Sequence, residues 1–190
     1  MALTVDQVVE LYRRRGWRCR AGDAVSQLEH ALQCAMLALE DDAPIQLVAA
    51  ALLHDFGHLV AELPPGVADE FDDTHPRLAM PFLRGTFPEA VTEPIRLHTD
   101  AKRYLCHTEP GYAASLSAAS RRGLERAGGA FDVSEAARFL VQPFASEALR
   151  LRRWDDMARV PGARTPALEE LVWVLETAAL ADTPVGAALL

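Results

Sequence analysis

The chain has 190 residues, and its 27 Asp and Glu against 19 Lys and Arg give a formal net charge of −8. All but one of the basic residues are arginine, because Lys102 is the single lysine. The longest basic run is Arg13-Arg14-Arg15, so the chain lacks the broad positive surface of a general nucleic-acid-binding protein. Any binding of a polyanion must therefore be local.

Length and composition favour one domain over residues 1–190. At this length a single core can bury roughly 70% of the surface that the unfolded chain exposes. Cys19, Cys34 and Cys106 are odd in number and widely spaced, which fits neither a disulfide framework nor a zinc knuckle. The N-terminus lacks a signal-peptide pattern, and the longest apolar run, 47–53, is far shorter than the ~20 residues of a membrane span. We therefore expect a cytoplasmic protein with no membrane or nucleic-acid partner.

Two capping boxes predict the first two helices. Thr4 is followed three residues later by Gln7, and Ser26 by Glu29, so each pair can satisfy two backbone N–H groups at a helix start. Gly16 is placed to end the first helix. The second helix is expected to end near residues 41–42.

A third helix is predicted to begin at Pro44, which suits a first helical turn, and to continue into the segment 54–58, His-Asp-Phe-Gly-His. Pro-Pro-Gly at 64–66 then predicts a loop. Further helices are predicted over 76–84, 88–105, 111–127, 143–157 and 165–181, and Pro94 should kink or split the second of these. Strand-like alternation is hard to find. The sequence therefore predicts an all-α single domain of eight or so helices.

Histidine and carboxylate residues carry the chemistry. His54 is followed directly by Asp55, and other histidines lie on segments that a helical bundle could bring near them. Neutral imidazole and carboxylate are standard ligands of zinc, iron and manganese. Because a single His-Asp pair occurs by chance, its value depends on ligands contributed by other helices.

Together these residues resemble the ligand set of the HD-domain metalloproteins. In that superfamily a His on one helix, an adjacent His-Asp pair on the next and a distant Asp bind the metal. His30, the pair His54-Asp55 and Asp155 fill those places. The resemblance covers about residues 21–160, and it implies an HD-domain helical bundle with an additional C-terminal helix at about 166–181.

Two further histidines make the resemblance more specific. His75 and His98 lie between the His-Asp pair and the distant Asp, where the mixed-valent diiron oxygenases of the PhnZ and TmpB type place the ligands of a second metal. Those enzymes cleave carbon–phosphorus bonds with dioxygen as cosubstrate. The resemblance implies two irons, Fe(II)/Fe(III), of which one is bound by His30, His54 and Asp155 and the other by His75 and His98, with Asp55 bridging them.

The resemblance also implies the residues that hold an organophosphonate. Residues 101–105, Ala-Lys-Arg-Tyr-Leu, look like a family hallmark, and helical spacing puts Lys102 on the same helix face as His98. His58, Ser120 and Arg152 match further positions on the substrate side, and Lys102 and His58 are the predicted catalytic residues. His58 could instead be a structural hydrogen-bond partner of a ligand carboxylate.

This chain departs from the family members that cleave the primary amine substrate. Those members have a tyrosine and a glutamate shortly before the first His, where this chain has Ala21 and Asp23. We interpret the change as room for a bulkier ammonium such as trimethylammonium, with Asp23 on the substrate side.

The sequence therefore predicts dioxygen-dependent cleavage of 1-hydroxy-2-(trimethylammonio or amino)ethylphosphonate to phosphate and glycine betaine or glycine. A metal-dependent phosphohydrolase acting on a small phosphoester or nucleotide would use the same ligands, and a non-catalytic regulatory scaffold would keep the same fold. The segments 101–105 and 152–155 favour the oxygenase. Two assignments stay open, since Asp156 is an alternative to Asp155 and Cys34, one turn after His30, is interpreted as packing.

Overall fold

A computed structural model describes residues 2–19, 24–61 and 75–180. Within these ranges the regular structure is helical and includes no β-strand, which confirms the all-α prediction. The helices are α1 (Val5–Arg15), α2 (Gln27–Glu40), α3 (Ile45–Leu53), α4 (Gly57–Val60), α5 (His75–Leu83), α6 (Glu89–Thr108), α7 (Tyr112–Ser115), α8 (Ala118–Arg126), α9 (Val133–Leu140), α10 (Ala145–Met157) and α11 (Leu168–Ala178).

Both predicted capping boxes are present. The Thr4 side chain accepts from the backbone N–H of Gln7, and the Gln7 side chain accepts from the N–H of Thr4. Ser26 and Glu29 make the same reciprocal pair at the start of α2. Because each pair satisfies two N–H groups that have no partner within the helix, the two starts were readable from the sequence.

Helix α3 is the central element of the bundle. Its residues 47–53 are all apolar and at most 2% exposed, as expected for a helix that is apolar on every face. It contacts α2, α6, α10 and α11. The C-terminal end of α3 therefore lies inside the bundle, and His54 and Asp55, which follow it, are buried there.

A smaller apolar cluster joins α6, α9 and α10. It contains Leu97 and Ala101 of α6, Phe139 of α9, and Ala148 of α10. Helix α6 also contributes Ile95 to the main core, so it packs on both clusters. This double packing holds α6 and α10 side by side across the middle of the fold.

Of the two outcomes predicted for Pro94, a kink or a split, the split is wrong, since α6 runs unbroken from Glu89 to Thr108. Proline removes the N–H that would bond to the carbonyl of Ala90. The lost bond lies near the start of a 20-residue helix, and burial of Val91 and Ile95 on either side maintains it.

Other helices also differ from the prediction. The segment 111–127 forms α7 and α8 rather than one helix, because Ser117 caps α8 by accepting from the N–H of Ser120. Helix α9 was not predicted, although Asp132 and Glu135 form a third capping box there. Helix α11 begins at Leu168 and ends at Ala178, inside the predicted 165–181. The predicted loop at 64–66 lies outside the described residues.

In the described part of the chain, none of the helices has both the length and the apolar character that a membrane span requires.

Candidate metal centre

The six predicted ligands converge in the interior of the bundle. They come from α2, from the end of α3, from the start of α5, from the middle of α6 and from α10. Each is at most 5% exposed, so the centre is shielded from bulk water. The residues are His30, His54, Asp55, His75, His98 and Asp155.

Three of them form a first group. The Nε2 atoms of His30 and His54 lie 3.1 Å apart. Oδ1 of Asp155 lies 3.2 Å from the first of these nitrogens and 3.7 Å from the second. Atoms at these separations can share one cation, because metal–nitrogen and metal–oxygen bonds are about 2.0–2.2 Å long.

A second group lies beside the first. The Nε2 atoms of His75 and His98 are also 3.1 Å apart, and Nε2 of His75 is 3.0 Å from Oδ1 of Asp55. The ligand atoms of these three buried residues lie within 4.8 Å of one another, as a metal site requires.

Asp55 lies between the two groups. Its Oδ1 is 3.5 Å from Nε2 of His54, and its Oδ2 is 3.5 Å from Nε2 of His30. Buried Oδ2 accepts no hydrogen bond from the described residues. Because an unsatisfied buried carboxylate oxygen is costly, this atom needs a cation or a donor. The placement fits a carboxylate that bridges two metal ions.

Hydrogen bonds fix the tautomers of three histidines. Nδ1 of His30 donates to the carbonyl of Ala158 at 2.7 Å, and Nδ1 of His54 donates to that of Ala51 at 2.9 Å. Nδ1 of His98 donates to the carbonyl of Ile95 at 2.7 Å. With the proton on Nδ1, a neutral ring presents a lone pair at Nε2.

The facing Nε2 atoms of the first group indicate that these residues fit a metal. In the first group two Nε2 lone pairs face each other at 3.1 Å, an arrangement that two neutral rings cannot satisfy by hydrogen bonding. A cation placed between them satisfies both. Burial lowers the pKa of His98 well below its usual value, with nearby His75 adding to the effect, so this ring stays neutral and able to bind a metal. Burial opposes a charge on His54, but Asp55 and Asp155 raise the pKa of this ring, and a metal ion between the rings would take the place of that proton.

The carboxylates are charged at neutral pH. Burial by itself would raise the pKa of Asp155, but the adjacent Arg152 guanidinium holds that pKa well below its usual range. Nη1 of Arg152 lies 2.8 Å from Oδ2 of Asp155, and Nη2 of Arg159 lies 3.2 Å from Oδ1. Two arginines therefore orient Asp155, the last of the predicted ligands along the chain.

A close backbone contact places His75. A Cβ atom on Gly57 would lie 1.9 Å from the carbonyl oxygen of His75, so only glycine fits where α4 meets the start of α5. His58, the next residue, stacks on the His75 ring with centroids 4.3 Å apart. The segment 54–58 thus contributes the predicted ligands His54 and Asp55, and its last two residues pack against His75 of the second group.

Four of the five predicted substrate contacts lie in the described part of the chain. Lys102 is 2% exposed and lies one helical turn beyond His98 on α6. Nε2 of His58 is 4.0 Å from Oδ1 of Asp55, which is too long for a hydrogen bond to that oxygen. Ser120 is buried at the start of α8, and its hydroxyl accepts from Nη2 of Arg152 at 3.5 Å. Asp23, the fifth, and Ala21 lie outside the described residues.

The geometry separates two adjacent acids. Asp155 faces His30 and His54, whereas Asp156 faces away from them toward Arg152 and the hydroxyl of Tyr112. This favours Asp155 as the ligand. Tyr112 was assigned no role in the site, and Asp156 was considered only as an alternative ligand to Asp155, because the two come from segments 40 or more residues apart and form no local motif.

Cys34 lies close to the first group. Its Sγ is 3.9 Å from Nε2 of His30, and it can be grouped with the ligand atoms of His30 and His54 within 4.8 Å. The side chain is fully buried and belongs to the main apolar core with Ala31 and Ala35. The interpretation of Cys34 as a packing residue stays a prediction.

Comparison with known proteins identifies the family, although no family model matches the chain. The chain is 43% identical to the hydroxymethylphosphonate dioxygenase of Gimesia maris over 157 residues, which cover 78% of this chain and 75% of that protein. It is 34% identical to the glycine-betaine-forming 1-hydroxy-2-(trimethylamino)ethylphosphonate dioxygenase of Leisingera caerulea, covering 85% and 83% of the two chains. An uncharacterised protein of Acanthamoeba polyphaga mimivirus is 31% identical, covering 82% and 73%.

Two relatives named as phosphonate dioxygenases thus match over most of their length, and the buried histidine and carboxylate groups of this chain suit a metal-dependent oxygenase. The protein is an oxygenase, and the chain belongs to the HD-domain family of organophosphonate dioxygenases.

Proposed function

We propose that the centre holds two iron ions in an Fe(II)/Fe(III) pair and cleaves the carbon–phosphorus bond of a 1-hydroxyalkylphosphonate with dioxygen. The observation that carries this proposal is the Asp55 carboxylate, whose two oxygens approach His30 of one group and His75 of the other. His30, His54 and Asp155 would hold one iron, and His75 and His98 the other. A metal pair of this kind supplies electrons to activate dioxygen and a Lewis acid for the substrate oxygens.

The protein residues supply charge and orientation for the anion. A phosphonate is a dianion, and Lys102 and Arg152 are buried basic residues, the first one helical turn beyond His98 and the second in contact with Asp155. Ser120 adds a hydroxyl next to Arg152, and His58 adds an imidazole next to His75. Electrostatic attraction is strong in such a shielded site, so these groups can fix the phosphonate and direct its hydroxyl-bearing carbon toward the metals.

The proposed reaction balances without a further reactant. The substrate loses one C–H bond and the C–P bond, and it is oxidised by four electrons, which reduce one dioxygen. The atoms of the substrate and of dioxygen together make one carboxylate and one dihydrogen phosphate. A hydrogen in place of the aminomethyl group on the hydroxyl-bearing carbon would give formate, and a trimethylaminomethyl group there would give glycine betaine.

Two substrates within this class are supported by different observations. Ala21 in place of a tyrosine and the relative from Leisingera caerulea support the trimethylammonium substrate. The higher identity, 43%, to the relative from Gimesia maris supports hydroxymethylphosphonate as a second candidate. Both share the 1-hydroxyphosphonate unit, which is the part that the described residues would bind.

The test is a direct comparison of substrates. Protein loaded with iron without air is given oxygen and either hydroxymethylphosphonate, 1-hydroxy-2-(trimethylamino)ethylphosphonate or the primary amine analogue. Dioxygen uptake and phosphate release are measured together, with His98→Ala as the control for the second metal. We expect one phosphate for each dioxygen consumed. Phosphate released from a phosphomonoester without oxygen uptake would instead show a phosphohydrolase.

A further inference from the structure

The guanidinium of Arg152 is held on two sides in the interior of the protein. The side chain is 3% exposed. Its Nη1 lies 2.8 Å from Oδ2 of the predicted ligand Asp155. Its other edge, formed by Nε and Nη2, faces both carboxylate oxygens of Asp156, with Nε 3.2 Å from Oδ2 and Nη2 in a shorter contact with Oδ1. This is the two-point pairing that arginine makes with a carboxylate.

Tyr112 completes this arrangement from another part of the chain. Its hydroxyl donates to Oδ2 of Asp156 and accepts from Nε of Arg152 at 3.2 Å. Tyr112 begins α7, just after Gly111, whose φ of 88° turns the chain at that point. The connection from α6 to α7 is also tied to α10 by the ion pair between Glu109 and Arg153.

The pairing decides which N–H groups of Arg152 face the centre. Because Asp156 takes the Nε and Nη2 edge, Nη1 is directed to Asp155, and the remaining Nη2 donor is directed to Ser120. A flexible arginine without this support would lose orientation, and binding an anion would then cost the entropy of ordering it. A guanidinium that is already oriented avoids that cost.

We propose that Tyr112 and Asp156 are positioning residues, which hold the Arg152 guanidinium in the orientation that binds the phosphonate. This inference rests on the proposed function in one respect, since it takes Arg152 to be a phosphonate contact. It adds two residues that act through Arg152 and touch neither the metals nor the substrate. The sequence assigns Tyr112 no role and offers Asp156 only as an alternative metal ligand, not as a partner of Arg152.

The experiment combines turnover with binding of inorganic phosphate to the iron-loaded protein. Tyr112→Phe removes only the hydroxyl, and Asp156→Asn removes the charge at nearly constant volume. We expect each to raise KM for the phosphonate and Kd for inorganic phosphate about tenfold, which corresponds to one lost charge-assisted hydrogen bond. Turnover at saturating substrate should change less, and iron content and the substrate-free electron paramagnetic resonance signal should be unchanged.

Matched controls come from the same chain. Tyr104→Phe removes a hydroxyl from a half-buried tyrosine whose ring packs against Phe139. Asp41→Asn breaks the ion pair of Asp41 with Arg150, on the outer side of α10. Neither control should change KM or Kd. Asp156→Glu, which keeps the charge, should recover part of the affinity that Asp156→Asn loses.

A double-mutant cycle tests whether the two residues act through Arg152. Once Arg152 is replaced by Ala, Tyr112→Phe and Asp156→Asn should have no further effect on Kd for phosphate. Equal effects with and without Arg152 would overturn the proposal, and so would normal Kd and KM in both single variants.

Failure of the proposed function would look different. In that case the wild-type protein would release no phosphate from any of the phosphonates, whereas binding of inorganic phosphate would still report on Arg152. If Arg152→Ala binds phosphate as tightly as the wild type, the positioning proposal fails as well.

Discussion

The imidazole rings of His54 and His98 meet edge to face, at an angle of 89° and with their centroids 5.4 Å apart. Each ring belongs to a different ligand group, so the two proposed metal sites are in contact through these two imidazole rings. Asp55 connects the same two groups through its carboxylate. Loss of a ligand should therefore affect one site or both, depending on which residue is changed.

Replacing Asp55 by Ala should remove metal from both sites. Its carboxylate is the one predicted ligand shared by both groups, and its loss removes the negative charge that would stabilise a cation in each of them. His98→Ala should remove only the second iron. Iron per chain, measured by mass spectrometry after loading without air, should fall from two to near zero in the first variant and to about one in the second.

Asp100→Asn is the matched control for that experiment. Asp100 is a half-buried acid two residues after His98, and it lies outside both ligand groups. Its replacement should leave two irons per chain. Retention of both irons in Asp55→Ala would contradict the bridging role.

Lys102→Ala should weaken substrate binding without loss of metal. Lys102 is buried one helical turn beyond His98, and a charge-assisted hydrogen bond of about 1.5–3 kcal/mol corresponds to a rise in KM of roughly 10–100-fold. Kinetics of phosphate release and iron analysis of the same preparation test this. Arg103→Gln is the control, because Arg103 points to the carbonyl of Gly129 and to the ring of Phe131. Parallel loss of iron and affinity in Lys102→Ala would show that Lys102 supports the ligands instead.

Cys34→Ala should keep both irons. The thiol is fully buried among small apolar residues, so truncation removes packing and should lower the free energy of unfolding by about 1–2 kcal/mol. Denaturation by urea and iron analysis measure the two effects separately. A drop to one iron per chain would instead identify Cys34 as a ligand of the first site.

Removal of metal should lower the melting temperature. The native state buries six ligands whose lone pairs and charges need cations, and a metal present at 1,000 times its Kd adds about 4 kcal/mol. For a domain of this size that corresponds to a fall in Tm of about 10 °C on chelation. His98→Ala, with one site, should show a smaller shift. Identical melting curves with and without chelator would argue against metal binding in the folded state.

The parts of the fold that were predictable are those with local causes. The capping boxes at Thr4 and Ser26 satisfy backbone groups within four residues, and the apolar run 47–53 is long enough to indicate a buried helix. The effect of Pro94 depended on how deeply its neighbours pack, which the local pattern does not contain. The capping box of Asp132 and Glu135 is also a local pattern, and it indicates the start of α9 in the same way.

The residues of the site also fall into a part that the sequence predicts and a part that it does not. The six ligands were proposed because their residue types and order resemble a family, and the structure brings all six together. Tyr112 and Asp156 could not be proposed in that way, since their importance lies in hydrogen bonds to Arg152 that depend on the packing of α7 against α10. Sequence order predicts ligands better than it predicts the residues that orient them.

The contact between Gly57 and the His75 backbone has a consequence for the number of metals. Any side chain at position 57 would push the start of α5 outward, and with it His75, while His30, His54 and Asp155 would stay in place on other helices. A Gly57→Ala chain would keep the ligands of a single-metal centre and lose the geometry of a two-metal one. One hydrogen atom in place of a methyl group would thus separate the proposed two-metal centre from a single-metal one.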